Sequence, residues 1–585
     1  MKKLNILFYG ALALALTSCK KDFLERAPLS NVSDAEFWKS PNDLQLYCNN
    51  FYNTEFPSYT GYGTIGIYGL DADQGSDNQI QGDGYNTTMN GEAVVPPSGG
   101  GWTWTSLRNI NYLLTHYSRV SAPWTSVAPY VGEARFFRAQ FYFNMLKTFG
   151  DLPWINQPVL QLDDPALYAA RVSRTIIADS IIADLDSAIS YLPAKSKAAT
   201  SRVYKELAMA LASRVALYEG TWEKYHAGTP FGVAGSDGSK YLNKAAQVAG
   251  TLIDAGVFSL DNVGAANGYW NLFNQTDFSS SKEVMFWRRY QVGIITQNWA
   301  RYTLAGAARG VTKDLVDSYL CVDGQPISRS ALYKGDDSLT MVVTNRDPRL
   351  AQTIYVPDGK HIITNNAPSG AVTLFTVPEL DGGGTASCPT GYQTYKGHNP
   401  DYYQQYAQDV GITGLILYRY AEVLLNYAEA KAELGTISQA DLDKSINKLR
   451  QRVAMPNLNL AGIITDPKWT FPTLSGIINE VRRERRVELA CEGFRHDDIN
   501  RWAAADKVLV GWKPKGAKKA QFTTLAAASA LAKYPVDAAG YIEIYQNIAP
   551  LAGGFHFNVN RDYLSPIPLD QLQLNKSLTQ NPGWQ

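Results

Sequence analysis

The sequence has no excess of charge of either sign. It holds 54 Lys and Arg against 54 Asp and Glu, and charged residues make up 18% of its 585 residues, below the roughly 25% of an average soluble domain. A nucleic-acid-binding protein needs a basic excess to neutralise phosphates, so this balance argues against that class. A hydrophobic share of 45% excludes an intrinsically disordered chain, which combines low hydrophobicity with high net charge.

Residues that bind metals or act as nucleophiles are also scarce. The five cysteines form no Cys-x-x-Cys pair, and the closest two of the six histidines, His361 and His398, stand 37 residues apart, so zinc-ligand spacing is absent. The chain has neither a Gly-x-Ser-x-Gly nucleophile elbow nor a phosphate-binding loop. None of these patterns supports an enzyme or a cofactor, and we expect the chain to have neither. A single structural calcium near Asp71 and Asp73 stays open, although the acid at position 12 of an EF-hand is missing.

The N-terminus predicts export. Lys2 and Lys3 precede an apolar run over 4–16, and Cys19 follows Leu16-Thr17-Ser18. This pattern is typical of a signal peptide over 1–18, which is too short to span a bilayer. A cysteine at the cleavage point indicates a lipoprotein signal with Cys19 as the lipid anchor; the alternative is a plain signal peptide. No later segment is apolar enough to span, so we expect a chain anchored to a membrane.

Apolar residues at helical spacing dominate most of the remaining chain. Several predicted helices form pairs of about 34 residues, which is typical of tetratricopeptide-like repeats that stack on each other. The predicted fold class is mostly α, a tetratricopeptide-like helical-repeat scaffold with long irregular loop insertions and a few short strands. The helices are predicted over 128–149, 173–192, 201–219, 240–255, 415–434, 438–453, 475–492 and 496–507.

Two irregular regions interrupt the helices, and loops of such length are usually functional. The first is the loop 53–104, and the second is the insertion 257–412, where 283–287 and 341–344 read as strands. Three parts are expected. They are the signal peptide 1–18, an N-terminal helical region 19–256 with the loop 53–104, and a C-terminal region 257–585 with the insertion 257–412 and repeat helices 415–507.

Five short stretches, taken in order along the chain, resemble the SusD/RagB family of outer-membrane nutrient-binding lipoproteins. Each stretch alone is weak, but their order is specific and covers the whole chain, while the two irregular regions match least. The stretches are Cys19 with Lys21-Asp22-Phe23-Leu24 and Pro28; Gly132-Glu133-Ala134-Arg135-Phe136-Phe137-Arg138-Ala139 with Phe149-Gly150-Asp151-Leu152-Pro153; Leu417 to Ala430; Glu484 to Leu489 with Glu492-Gly493-Phe494-Arg495, Asp498 and Arg501-Trp502; and Pro566-Ile567-Pro568 with Gln580-Asn581-Pro582-Gly583-Trp584.

This resemblance implies a position on the cell outer membrane, lipid-anchored and facing the exterior. It implies capture of an oligosaccharide or polysaccharide and its delivery to a partner, a TonB-dependent transporter of the SusC type. The family binds ligands through its irregular regions. A peptide or other non-sugar cargo is an alternative within the family, a helical-repeat interaction scaffold is an alternative outside it, and a hydrolase is disfavoured.

A sugar presents an apolar C–H face and a rim of hydroxyls, so its site needs flat rings beside amides and charged groups. Both irregular regions hold this mixture. Trp102 and Trp299 are expected to be exposed platforms, while Trp287 reads as a core residue. The ligand-binding candidates are Asp73, Asp77, Asn78, Trp102, Trp104, Trp287, Tyr290, Asn298, Trp299, Arg301 and Tyr302.

Two charged segments are interpreted as structural. Asp497 and Asp498, next to His496, are expected to offset the dipole at a helix N-terminus rather than to form an acid pair. The run from Glu480 to Glu488 is expected to be a solvated helix with internal ion pairs; a patch that faces a partner or binds an acid is the alternative.

Overall fold

The computed structural model describes residues 34–57, 72–82, 84–161, 163–304, 306–380, 382 and 387–584. The predicted signal peptide and Cys19 lie outside these residues, and so do residues 58–71 and 83 of the loop 53–104.

The described chain is mostly helical, as the sequence predicts. Its helices, labelled in chain order, are α1 Asp34–Phe37, α2 Pro41–Thr54, α3 Thr105–His116, α4 Trp124–Phe149, α5 Arg174–Tyr191, α6 Lys205–Tyr225, α7 Ser239–Asp254, α8 Gly268–Asn271, α9 Trp299–Leu304, α10 Lys313–Ser318, α11 Leu339–Val343, α12 Pro348–Thr353, α13 Tyr402–Gln405, α14 Tyr420–Glu433, α15 Gln439–Lys444, α16 Ile446–Arg452, α17 Gly476–Glu488, α18 Arg495–Arg501, α19 Ala505–Val508, α20 Ala528–Ala532 and α21 Leu569–Leu574.

The long helices form one stack. Consecutive helices α4 to α7 pack on each other, α7 packs on α14, and α14 packs on α17. Small residues permit the close crossings: a Cβ atom at Gly220 of α6 would lie 2.8 Å from Leu242 of α7. The expected core phenylalanines of α4, including Phe136 and Phe137, are fully buried. This arrangement confirms the helical-repeat scaffold.

Short antiparallel strand pairs connect the insertion to the rest of the chain. Strand β1 (Gln79–Gln81) pairs with β3 (Arg309–Val311), and β2 (Val284–Arg288) pairs with β6 (Leu415–Arg419). Strand β4 (Ile362–Thr364) pairs with β5 (Thr373–Leu374) within the insertion. The first two pairs join segments that are far apart in sequence, so they fix both irregular regions to one another and to α14.

Three sequence predictions are corrected. The helix predicted from residue 415 begins only at Tyr420, because 415–419 are taken up by the pairing of β6 with β2. The strand predicted over 341–344 is helix α11, whose N-terminus is capped by the Ser338 hydroxyl. The helix predicted over 438–453 is divided into α15 and α16 at Ser445.

The charged run of α17 is buried rather than solvated. Glu488 is fully buried and binds the guanidinium groups of Arg452 at 2.5 Å and Arg419 at 2.7 Å. Burial would raise the pKa of Glu488, but these two groups and Arg349 outweigh it and hold the pKa far below its usual value. The structural interpretation of this run is right, and the expectation of a solvated face is wrong, because the acids of α17 face arginines on neighbouring segments.

Two further features of the described residues bear on the predictions from sequence. Cys48, Cys321, Cys388 and Cys491 are buried free thiols, with no disulfide among them. No helix in the described part of the chain combines the length and apolar character that crossing a bilayer would require.

Candidate functional site

The acidic candidates of the first loop face inward. Asp73 is buried, and its carboxylate accepts hydrogen bonds from the backbone N–H groups of Cys491 at 2.7 Å and Gly493 at 2.9 Å. Asn78 donates to the same carboxylate at 2.8 Å. These contacts attach the loop to the turn that follows α17, which leaves Asp73 and Asn78 no surface for a ligand.

Asp77 is likewise committed to internal ion pairs. Its carboxylate binds Arg495 at 2.7 Å and Arg486 at 2.9 Å. Burial alone would raise the pKa of Asp77, but these two guanidinium groups outweigh it and hold the pKa below its usual value. Asp77 therefore stays ionised and structural, contrary to its selection as a ligand-binding residue.

The aromatic candidates of the second region form a small core. Tyr290 and Trp299 are each only 2% exposed, and their rings meet edge to face at 5.4 Å. Trp287 is half-buried and packs edge to face on Phe278 at 5.3 Å. The structure thus corrects the expectation that Trp299 presents an exposed platform, and it supports the interpretation of Trp287 as a packing residue.

Asn298 connects two segments of the insertion through hydrogen bonds. Its side chain donates to the Asp409 carboxylate at 2.9 Å and accepts from the Asp409 backbone N–H at 2.8 Å. Gln297, next to it, donates its backbone N–H to the Gly411 carbonyl at 2.9 Å. These bonds hold α9 against the segment that carries α13.

That segment carries three clustered tyrosines, the half-buried Tyr402 and the exposed Tyr403 and Tyr406, which we call the tyrosine surface. The rings of Tyr402 and Tyr406 lie 5.4 Å apart at an interplanar angle of 14°. Tyr403 meets both of these rings edge-on. Tyr403 and Tyr406 are each 53% exposed, so an aromatic cluster of fixed geometry faces solvent, as a binding surface requires.

Buried glutamines hold these tyrosines outward. Gln405 donates to the carbonyls of Asn399 at 2.6 Å and Ile363 at 3.0 Å. Gln404 accepts the Ile412 backbone N–H at 2.7 Å. With the amides directed inward, the neighbouring rings point to solvent. Sequence analysis missed this surface, although the run Tyr402-Tyr403-Gln404-Gln405-Tyr406 within an insertion is a signal that could have revealed it.

Two predicted residues accompany the tyrosine surface. Arg301 is exposed and Tyr302 is half-buried on α9, which packs against α13. The two helices are also joined through His398, whose ring is 2.7 Å from the Thr303 hydroxyl. Burial lowers the pKa of His398 to about 4, so this joint is uncharged at neutral pH. Arg301 and Tyr302 thus lie on a helix that packs against the helix carrying the tyrosine surface.

The two tryptophans of the first region line a different cavity, which we call the Trp104 groove. It has a volume of about 530 Å³. Trp102 is only 8% exposed and packs edge to face on Phe149 at 5.0 Å and on Trp104 at 5.3 Å. The other residues that line the groove include Arg108, Asn111, Leu160, Leu167, Tyr168, Leu574 and Asn575. Trp102 is therefore mainly a core residue. The exposed residues of the rim are Leu160, Leu167 and Leu574 together with Thr105, Arg108, Gln157, Gln161 and Tyr168.

A third cavity, of about 280 Å³, lies beside the arginines of α17. Its cationic lining is matched by acids: Arg483 binds Asp466 at 2.7 Å, while Arg486 and Arg495 share Asp77. The acids near His496 are paired as well, since Asp497 binds Lys147 at 2.7 Å and Asp498 binds Arg501 at 2.9 Å. These groups act as structural ion pairs, and no cluster among the described residues has the donors to hold a metal ion.

Comparison with known proteins places this architecture among established relatives. A family model described as "SusD family" matches residues 272–584, and one described as "Starch-binding associating with outer membrane" matches residues 70–217. The chain is 25% identical over 609 residues to the SusD-like protein P2 of Formosa agariphila, covering 100% of both chains.

Solved structures share the fold. A SusD-like carbohydrate binding protein from Bacteroides fragilis has a TM-score of 0.70 at 22% identity, covering 93% of this chain and 100% of its own. A second SusD-like protein from the same organism has a TM-score of 0.71 at 22% identity, covering 96% and 100%. At this identity the likeness concerns the fold, and the side chains of the tyrosine surface must be judged on their own geometry.

Proposed function

Because the chain belongs to the SusD family, we propose that it binds carbohydrate at the tyrosine surface and passes it to a membrane transporter without altering it. The description of one matching family model as starch-binding supports this proposal. So does the printed description of the Bacteroides fragilis neighbour as carbohydrate binding.

The observation that carries the proposal is the outward orientation of Tyr403 and Tyr406. A sugar ring packs its C–H face on an aromatic ring, and a tyrosine adds a hydroxyl at its edge. A tyrosine also offers large, rigid contact area at low cost in conformational entropy. Tyr402, which is half-buried and stacks near-parallel to Tyr406, adds part of a third ring to the surface, which suits an extended chain of sugars better than a single unit.

Polar partners for the sugar hydroxyls are at hand. Arg301 is exposed on the helix that packs against α13, and Asp409 is exposed where Asn298 holds it. Planar guanidinium and carboxylate groups can each bind two neighbouring hydroxyls. Arg301 and Tyr302 thus keep the ligand-binding role predicted for them, with Asn298 as a support.

The finer parts of the proposal rest on the family and the N-terminal sequence. The cargo is an oligosaccharide or polysaccharide, and the partner is a TonB-dependent transporter of the SusC type. Lipid attached at Cys19 anchors the protein to the outer membrane, facing the exterior. The pairing of Asp497 and Asp498 with Lys147 and Arg501 supports a role in binding rather than hydrolysis, since it leaves this acid cluster without a pair poised across a sugar.

The test is calorimetric titration of residues 20–585 with a panel of soluble polysaccharides and oligosaccharides. The double variant Tyr403→Ala/Tyr406→Ala should lose at least tenfold in affinity, about 1.4 kcal/mol, for the ligand that the unmodified chain binds. Tyr168→Ala is the matched control, because Tyr168 is 51% exposed but lies in the Trp104 groove.

Each outcome is decisive. Loss confined to the double variant supports the tyrosine surface, whereas loss confined to Tyr168→Ala would move the site to the groove. Unchanged affinity in both variants would contradict both locations. Failure of the unmodified chain to bind any glycan would contradict the carbohydrate proposal and favour a peptide or other non-sugar cargo.

A further inference from the structure

The Trp104 groove has the character of a docking surface rather than of a sugar site. Leu574 is 69% exposed at its rim, and Leu160 and Leu167 are exposed beside it. Arg108 is the one charged residue among the described residues that line the groove. Apolar side chains gathered around a cavity in this way mark a surface that another part of a protein covers.

The described chain begins close to this groove. Asp34 accepts hydrogen bonds from Tyr112 at 2.6 Å and Arg119 at 2.8 Å. Thr105, Arg108 and Tyr112 are spaced by three and four residues and therefore lie along one face of α3. Thr105 and Arg108 line the groove, and a rise of 1.5 Å per residue puts Thr105 about 10 Å along the helix from Tyr112.

The segment before Asp34 has the matching chemistry. Residues 20–33 contain the apolar side chains Phe23, Leu24, Pro28, Leu29 and Val32. Asp22 and Glu25 flank the pair Phe23-Leu24 and can meet the exposed Arg108, although Lys20, Lys21 and Arg26 give the segment as a whole a weakly positive charge. At about 3.3 Å per residue this segment can reach well beyond the groove, so its length imposes no limit.

We propose that residues 20–33 dock in the Trp104 groove, with Phe23 and Leu24 packed against Trp104 and Leu574. The docked segment covers the exposed leucines and pairs its acids with Arg108. If Cys19 carries lipid, as the proposed function holds, the anchor leaves the folded body at this groove. The groove then faces the membrane, and one short segment sets the orientation of the whole protein.

The test measures how quickly a maleimide labels Leu574→Cys in residues 20–585. Cys48, Cys321, Cys388 and Cys491 are buried, and Cys19 is absent from this chain, so the introduced thiol is the one that reacts. We expect labelling at least tenfold slower in the otherwise unmodified chain than in one that also carries Phe23→Ser/Leu24→Ser. The double variant Lys20→Ser/Lys21→Ser, which changes the same segment but keeps its apolar residues, should label as slowly as the unmodified chain.

Ile176→Cys is the control for general reactivity, because Ile176 is 51% exposed on α5 and does not line the groove. The thiol of this control should react with the maleimide at the same rate in the otherwise unmodified chain and in both double variants. Fast labelling of Leu574→Cys with or without Phe23 and Leu24 would overturn the proposal, because the groove would then be open. Slow labelling in both would also overturn it, because something else would cover the groove. Glycan titration of the same chains reports on the tyrosine surface separately, and there we expect no change.

Discussion

The helical stack and the insertion both depart from the usual rule that charged side chains are exposed and aromatic ones are buried. The interior of the stack buries ion pairs, whereas the tyrosine surface of the insertion exposes aromatic rings. In the stack, Glu429, Glu488 and Arg501 are buried charges. On the insertion, Tyr403 and Tyr406 are exposed rings beside buried glutamines. Polar groups in both regions satisfy one another inside the protein, but only the insertion leaves large side chains available to a ligand. The helical stack thus maintains the fold, and the insertion carries the proposed ligand-binding surface.

The largest expected effect comes from breaking the interior. Glu429 binds Arg501 at 2.6 Å and accepts the Trp502 indole N–H at 2.8 Å. Glu429→Gln leaves Arg501 buried without its full countercharge, so we expect a loss of about 5 kcal/mol in the free energy of unfolding. Thermal unfolding should show a large fall in Tm at neutral pH.

The same variant has a defined pH dependence. Burial would raise the pKa of Glu429, but Arg501 and its neighbours hold the pKa at about 2, below the ordinary value of 4.5. A depressed carboxyl pKa stabilises the fold above the unfolded-state value, and the contribution is lost as the pH falls through the folded-state value. The difference in Tm between wild type and variant should therefore narrow between pH 4.5 and pH 2.

The control for this prediction is Asp186→Asn. That change removes a half-exposed ion pair with Lys244, and such pairs contribute about 0–1 kcal/mol. An equal loss of stability in the two variants would contradict the contrast between interior and surface charges. So would a Tm difference for Glu429→Gln that stays constant on acidification.

A smaller stability effect separates a core aromatic residue of the insertion from a surface aromatic residue of α4. Trp299→Ala empties the small core that it shares with Tyr290, and we expect a loss of about 3 kcal/mol. Trp124→Ala, at an exposed tryptophan of α4, should change Tm little. A stable Trp299→Ala protein that loses only glycan affinity would instead restore Trp299 as a binding platform.

The smallest expected effect concerns the contribution of Arg301 to glycan binding at the tyrosine surface. Arg301→Ala should weaken glycan binding severalfold, because one charged donor to sugar hydroxyls is lost while the aromatic contacts remain. Arg329→Ala, at another exposed arginine of the insertion, is the control. A loss for Arg301→Ala that exceeds tenfold and shrinks with added salt would indicate an acidic glycan. Equal affinity in wild type and Arg301→Ala would remove Arg301 from the site.

Sequence reasoning predicted the long helices well and the short elements poorly. Helices α4 to α7 carry many turns of apolar residues at helical spacing, so their periodicity is strong. The apolar run 415–419 fits a helix and a strand equally well, and only its partner β2 selects the strand. The segment 341–344 failed for the same reason, since β-branched residues occur in both kinds of element and the Ser338 cap decided the outcome.

Site residues were harder to predict than helices. Tryptophan among glycine and polar residues suggested exposure at Trp102 and Trp299, yet each packs on another aromatic ring, Trp102 on Phe149 and Trp299 on Tyr290. Asp73 and Asp77 looked like ligand donors until their backbone and arginine partners, more than 400 residues away, were located. The type of a side chain indicates what it can bind, but not which partner reaches it first.

What the sequence alone determined is the helical-repeat scaffold and the family resemblance, because both depend on short patterns that repeat or occur in order along the chain. What only the tertiary structure decided is which polar and aromatic side chains face inward. That choice depends on partners distant in sequence, such as Arg495 for Asp77 and Ile363 for Gln405. A buried polar group must find such a partner to offset its desolvation, and a linear pattern does not reveal where the partner lies.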